Sequence, residues 1–150
     1  LSFHLFRRSL LVILTAVVFG TLLPAPAQAV TTVRGNQIVA AARAQQGKPY
    51  KHGSHGPGAF DCSGLTGFAY AQVRITLPRT AQAQYRAARK VSPPAARPGD
   101  LVFWLAGGRA YHVAVYAGGG RVWHAPKPGD RVKLAPIWSR NQVRFGRIGA

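Results

Sequence analysis

Apolar residues follow three regimes along this chain. From Leu10 to Leu23 they run almost without interruption, LLVILTAVVFGTLL. Through the middle of the chain they recur at helical spacing, and after Asp100 they alternate with polar residues. The middle regime predicts three helices. Asn36 caps the first, which runs through QIVAAARAQQ with Ile38, Ala41, Ala42 and Gln45 on one stripe and stops at Gly47, with Pro49 beyond. YKHGSHGPGAF, residues 50–60, is a Gly- and His-rich loop. Leu65, Phe68, Ala69 and Val73 define a second helix over 63–73; Leu77-Pro78 interrupts, and Thr80 caps a third helix through Lys90. SPPAARPG, residues 92–99, is a turn-rich connector.

The alternating regime predicts strands. LVFWLA, YHVAVYA and RVWHAP are short β-branched and aromatic runs separated by glycine clusters, and a last strand lies at 142–148. Helices first and strands afterwards indicate an α+β fold with an antiparallel sheet. A length of 150 residues fits one domain.

The first regime belongs to targeting. Arg7 and Arg8 precede the apolar run, and Ala27-Gln28-Ala29 ends it with a small-x-small cleavage pattern. Residues 1–29 are therefore expected to be a signal peptide, leaving residues 30–150 as the exported domain. The expected location is extracellular or in the cell wall, or the periplasm if the cell has an outer membrane.

Charge then narrows the partners. Lys and Arg number 20 against three acidic residues, a net charge of +17. That balance predicts attraction to polyanions, here anionic wall polymers, acidic glycans or lipid headgroups. Nucleic acid is not expected, because no helix-turn-helix, zinc-finger or RNP-like pattern is present. A single cysteine excludes an intrachain disulfide framework.

That cysteine, Cys62 in Asp61-Cys62-Ser63-Gly64-Leu65, falls where the loop meets the second helix. Free N–H groups and the positive dipole end of a helix start favour a thiolate, so its pKa is expected below the free value of about 8.5. His112 and His124 lie on the two strands joined through Gly118-Gly119-Gly120. A three-residue turn at 117–119 would pair Tyr116 with Gly120, set His112 opposite His124 and project both from one face. A thiol, a base and an orienting group are the parts of nucleophilic catalysis. Zinc is the rival use of Cys62, His112, His124 and Asp61, without locally spaced ligand pairs. His52 and His55 sit in the loop and receive no role.

Six segments resemble the NlpC/p-sixty family of papain-like cell-wall cysteine peptidases. They are Pro49-Tyr50 with Gly53, Phe60 to Leu65, Leu77 to Thr80 with Gln84, Arg97 to Phe103, His112 to Tyr116, and Val122 to Pro126. The resemblance implies a papain-like core. It implies Cys62 as nucleophile, His112 as base and His124 as the polar third member. Tyr50 matches a tyrosine near the reacting carbonyl, and Asp61 and Ser63 match positions that recognise the free amino end of a peptidoglycan stem peptide. Arg79 matches a motif residue, either for a substrate carboxylate or for structure. The implied reaction hydrolyses the bond from the γ-carboxyl of D-glutamate to a diamino acid. It needs no metal or cofactor, and the expected form is a monomer. An amidase or acyltransferase on the same scaffold, and a basic protein that only binds the wall, are the alternatives. Two departures stand out: the stretch reads Tyr50-Lys51-His52-Gly53-Ser54, without a second glycine, and Arg74 replaces a glycine usual before Ile75.

Overall fold

The computed structural model describes residues 27–149. Most of the expected export segment, including its basic head and apolar run, lies outside the described residues. No helix among the described residues is long and apolar enough to cross a membrane.

The first helix, α1 (Ala27–Arg43), begins well before Asn36. Asn36 is thus an interior residue and not a cap. The preceding glycine marks a close approach: a Cβ on Gly35 would lie 2.2 Å from the Pro98 carbonyl oxygen. Helix α2 (Cys62–Ala71) starts at the cysteine, with Asp61 as its N-cap accepting from the Gly64 N–H. Helix α3 (Ala81–Ala87) is capped by Thr80 as expected, but ends three residues before Lys90. The chain there turns into β1 (Arg89–Val91).

Five more strands follow: β2 (Leu101–Ala106), β3 (Arg109–Gly118), β4 (Arg121–His124), β5 (Lys133–Pro136) and β6 (Val143–Arg147). They form one antiparallel sheet in the order β1-β6-β2-β3-β4-β5. The alternation in the sequence divides its two faces. Leu101, Phe103, Val113, Val115 and Trp123 pack on the helices through Ile38, Ala42, Ala69 and Tyr70. Val102, Trp104, Ala114 and Val122 point the other way, under Ile137 and Val143. Burying both faces is what makes β2 continuously apolar.

The β3–β4 connection differs from expectation in a consequential way. Gly118 pairs with Arg121 around a two-residue turn, Gly119-Gly120, whose φ angles of 60° and 71° suit glycine. Beyond the turn, Tyr116 pairs with Val122 and Val115 with Trp123, so Ala117 is an extra, bulged residue. His112 and His124 are therefore offset by two residues and are not directly opposite. Their side chains still share a face, because the offset is even.

Two polar clamps hold the frame. Arg147 grips the buried Asp100 through Nε at 2.7 Å and Nη2 at 2.8 Å, tying β6 to the start of β2. Gln84, fully buried, accepts from Thr66 Oγ1 at 2.7 Å and donates to the Ser63 and Pro78 carbonyls. This bond set fixes the first turn of α2 against α3. Arg74, where the resemblance calls for glycine, adopts a left-handed φ of 62°.

Candidate active site

Cys62 opens α2 next to the backbone of β3. The Val113 N–H points to its sulfur, one residue from His112. Burial pushes the Cys62 thiol above its ordinary value; the neighbouring Asp61 charge adds to this, and the N–H groups of Val113, Ser63 and Cys62 oppose it. The expected depressed pKa is therefore not found in the free protein. Desolvation and the capping carboxylate outweigh the helix end, and neither was legible from the cysteine's position alone.

The two histidines meet. His112 Nε2 lies 3.0 Å from His124 Nδ1. Both rings are buried, and burial holds both neutral: His112 is pushed down to about 3, with His124 adding to the effect, and His124 to about 4, with Lys133 adding to it. Trp138 explains part of that burial. It stacks on Trp104 at 4.0 Å between ring centroids and covers His112 and His124 at 5.6 and 5.2 Å. The Trp104 indole N–H donates to the Trp138 carbonyl at 2.9 Å, fixing the cover in place. Sequence reasoning missed Trp138, a lone aromatic residue outside any periodic run. His124 Nε2 is buried with no partner among the described residues.

Asp61 is the hub of the opposite side. It accepts the Gly64 N–H at 2.7 Å, the Gly53 N–H at 3.0 Å, and Arg79 through Nη1 at 3.1 Å and Nη2 at 2.6 Å. Arg79 Nη1 also donates to Ser63 Oγ at 2.9 Å. Burial works against ionisation of Asp61, but Arg79 and the two N–H groups prevail and hold its carboxyl below the ordinary range. The Arg79 guanidinium is thus spent within the protein on Asp61 and Ser63. Gly64 permits the loop to close: a Cβ there would lie 2.2 Å from the Ser54 carbonyl oxygen.

Tyr50, Cys62 and Tyr111 form a ridge between two lobes of one cleft. The first lobe, about 550 Å³, is lined by Asp61, Ser63, Arg79 and Arg109, with His52 at its edge. The second, about 620 Å³, holds His112, His124 and Trp138, with Lys127, Asp130 and Lys133. His55 contributes to neither lobe. All seven sequence-predicted residues therefore line the cleft. Among the described residues, no three His, Cys, Asp or Glu side chains are disposed to hold a metal.

Helices against one antiparallel sheet, with a cysteine starting the central helix beside two strand histidines, define a papain-like α+β fold. The chain belongs to the NlpC/P60 family, whose model matches residues 47–145. It is 45% identical over 115 residues to a probable endopeptidase p60 of Listeria seeligeri, covering 74% of this chain and 22% of that one. It is 46% identical over 102 residues to a probable endopeptidase of Corynebacterium glutamicum, covering 68% of this chain and 48% of the relative. The chain thus spans less than half the length of these relatives. Among solved structures, the NlpC/p60 domain of the peptidoglycan hydrolase SagA superposes with a TM-score of 0.67 at 40% identity, covering 75% of this chain and 96% of that one. RipD of Mycobacterium tuberculosis, a non-catalytic NlpC/p60 protein adapted to peptidoglycan binding, superposes with a TM-score of 0.68 at 28% identity, covering 77% and 97%.

Proposed function

We propose that this domain is an exported peptidoglycan endopeptidase that hydrolyses the stem-peptide bond from the γ-carboxyl of D-glutamate to a diamino acid. Cys62 is the nucleophile, His112 carries the proton and His124 orients it. One observation carries this reading. The His112–His124 contact occupies Nε2 of His112, and Nδ1 of His112 makes no hydrogen bond among the described residues, in a ring that lines the same lobe as Cys62.

The electrostatics support a thiol and imidazole that are both neutral at rest. Attack on the carbonyl carbon is then coupled to transfer of the Cys62 proton to Nδ1 of His112. The carbon–nitrogen bond breaks as His112 returns that proton to the departing amine, leaving a thioester. Water gives a proton to His112 and its oxygen to the thioester carbonyl; the carboxylic acid departs and Cys62 regains its proton. N–H groups at the α2 start and the Tyr50 hydroxyl face the developing oxyanion. Ionised Asp61, with Ser63, receives the free amino end of the stem, and Arg79 keeps Asp61 charged and aimed. Every step uses groups of this chain and water.

The net charge supports retention on anionic wall polymers. Retention on intact walls is then expected to fall as salt rises, because exposed charges are screened over about 8 Å at physiological ionic strength.

Digestion of purified peptidoglycan, read by mass spectrometry beside a Cys62→Ala control, tests the reading. New amino termini at the diamino acid are expected with the intact cysteine only. Release of whole stems from sugar would establish an amidase, and joined peptides an acyltransferase. No product with the wall still bound would establish a binding protein.

A further inference from the structure

The three acidic side chains of this protein are all spent. Asp61 pairs with Arg79 at 2.6 Å, Asp130 with Lys133 at 2.6 Å and Asp100 with Arg147 at 2.7 Å. No carboxylate side chain is left to neutralise the other cations, and four of these fall in one row. Helix α3 starts in the first lobe of the cleft, where Gln82 accepts the Ala110 N–H at 2.6 Å beside Arg109. Arg86 lies one turn along α3 from Gln82, on the same side of the helix. Past the helix end, Lys90 stands opposite Gly146. Arg144, two residues along β6, is therefore its diagonal neighbour on the same face of the sheet, about 7–8 Å away between Cα atoms.

Two of the four are held in place without being neutralised. The Lys90 ammonium donates to the Tyr85 carbonyl and, at 3.1 Å, to the Ala88 carbonyl, and it sits over the Tyr85 ring, 3.6 Å from the centroid. The Arg144 guanidinium donates to the Val143 carbonyl at 2.8 Å. Carbonyls and a ring face fix these cations yet leave their charge uncompensated, so little side-chain freedom remains to be lost on binding an anion. Arg86 and Arg109 are exposed and make no ion pair among the described residues.

The surroundings of the row select its occupant. The exposed large apolar side chains among the described residues are Val33, Tyr111 and Trp138, none of them on α3, β1 or β6, so the row has no anchor for a bilayer. The Tyr85 ring is covered by Lys90 and meets Phe103 edge-on at 5.2 Å, which leaves no open ring for stacking on a nucleic-acid base. Closely spaced cations match a chain that carries one anion on every short repeat, as a polyol phosphate does, better than a glycan charged once per disaccharide.

We propose that Arg109, Arg86, Lys90 and Arg144 form a docking track for a linear polyol-phosphate polymer of the wall, running from the first lobe along α3 to β6. The track rests on the retention on anionic wall polymers proposed above, and gives that retention a place and a phosphodiester partner. Of the four residues only Arg109 lines a lobe, so a docked polymer leaves the cleft open.

Calorimetric titration with soluble poly(glycerol phosphate), from about 50 to 200 mM salt, tests the track. The triple variant Arg86→Gln, Lys90→Gln, Arg144→Gln is expected to bind about 10- to 100-fold more weakly at the low-salt end. Its slope of log affinity against log salt should be shallower by about 2. A control triple, Arg34→Gln, Arg43→Gln, Arg121→Gln, removes the same charge from α1 and β4 and should leave that slope nearly unchanged. Turnover of a small soluble stem peptide should be equal in all three proteins, which also confirms their folding. Equal losses in the two triples, no binding by the intact protein, or equal or tighter binding of polygalacturonate or phosphatidylglycerol vesicles overturns the track. Retention on whole walls that survives in the first triple also overturns it, and leaves the retention reading standing. If the intact protein cleaves no stem peptide, the endopeptidase reading fails, circular dichroism reports folding, and polymer binding still decides the track.

Discussion

His112 Nε2 and His124 Nδ1 share one hydrogen at 3.0 Å, and the sharing has a direction. For Nδ1 of His112 to accept a proton from Cys62, its Nε2 must donate to His124. His124 then carries its own proton on Nε2, the buried atom without a partner. The pair thus accepts one unsatisfied donor in exchange for a base in the correct tautomer.

The two histidines should consequently respond differently to substitution. His112→Ala is expected to lower stem-peptide hydrolysis by about 100- to 10,000-fold. His124→Gln keeps an acceptor and should retain partial activity, with His124→Ala between the two. Product release by mass spectrometry measures each, with circular dichroism confirming the fold. An active, folded His112→Ala would remove His112 from the mechanism.

The buried thiol should titrate late. Iodoacetamide alkylation of the free protein is expected to rise with pH to a midpoint above about 8.5, because burial raises Cys62. A midpoint below that value would show a thiolate already formed at rest.

Acid should weaken the fold before the carboxylates titrate. His112 and His124 sit at about 3 and about 4 in the folded protein, against about 6.5 unfolded. As pH falls from 6.5 towards 4 the unfolded chain binds more protons, so stability drops, by up to about 1.4 kcal/mol per pH unit for each histidine. Urea midpoints from pH 7 to 4.5 measure this. His124→Gln should flatten the decline, and a slope unchanged by that substitution would place its origin elsewhere.

Asp100 and Arg147 should tolerate no separation. Removing Arg147 leaves the buried Asp100 carboxylate with the Arg97 N–H, at 2.7 Å, but without its counter-charge, and Arg147→Ala is expected to cost about 3 kcal/mol. Chemical denaturation gives the value; a loss under about 1 kcal/mol would mean that the Arg97 N–H and solvent suffice for the Asp100 carboxylate.

Arg74 offers a change in the opposite direction. A left-handed backbone disfavours a side chain, so Arg74→Gly should stabilise the domain by roughly 0.5–1 kcal/mol. No gain in melting temperature would show that the arginine side chain offsets the strain.

Residues with local causes were readable from the sequence. Thr80 capping α3, the apolar β2 and the cysteine at a helix start all follow from spacing and capping chemistry. β1 and β5 were not, because RKV and KLAP are short, mostly exposed or half-buried, and carry no alternation. Asn36 misled because the glycine before it serves tertiary packing on Pro98 and not a helix boundary. The histidines' shared face was legible only as far as parity, since the bulge at Ala117 leaves no signature in a Gly-rich turn. Trp138 and Lys127 reach the cleft from loops, whose course depends on what they pack against.

That bulge makes Ala117 dispensable to the strand register. Without it Gly118 would follow Tyr116 directly, the Gly119-Gly120 turn would be kept, and Tyr116 would still pair with Val122 and Val115 with Trp123. His112 and His124 would then stay on one face of the sheet. Loss of one residue between His112 and Tyr116 is different, because it moves His112 to the opposite face and parts the two rings. Loop grafting at this turn therefore has one residue to spare, while the stretch 113–116 has none.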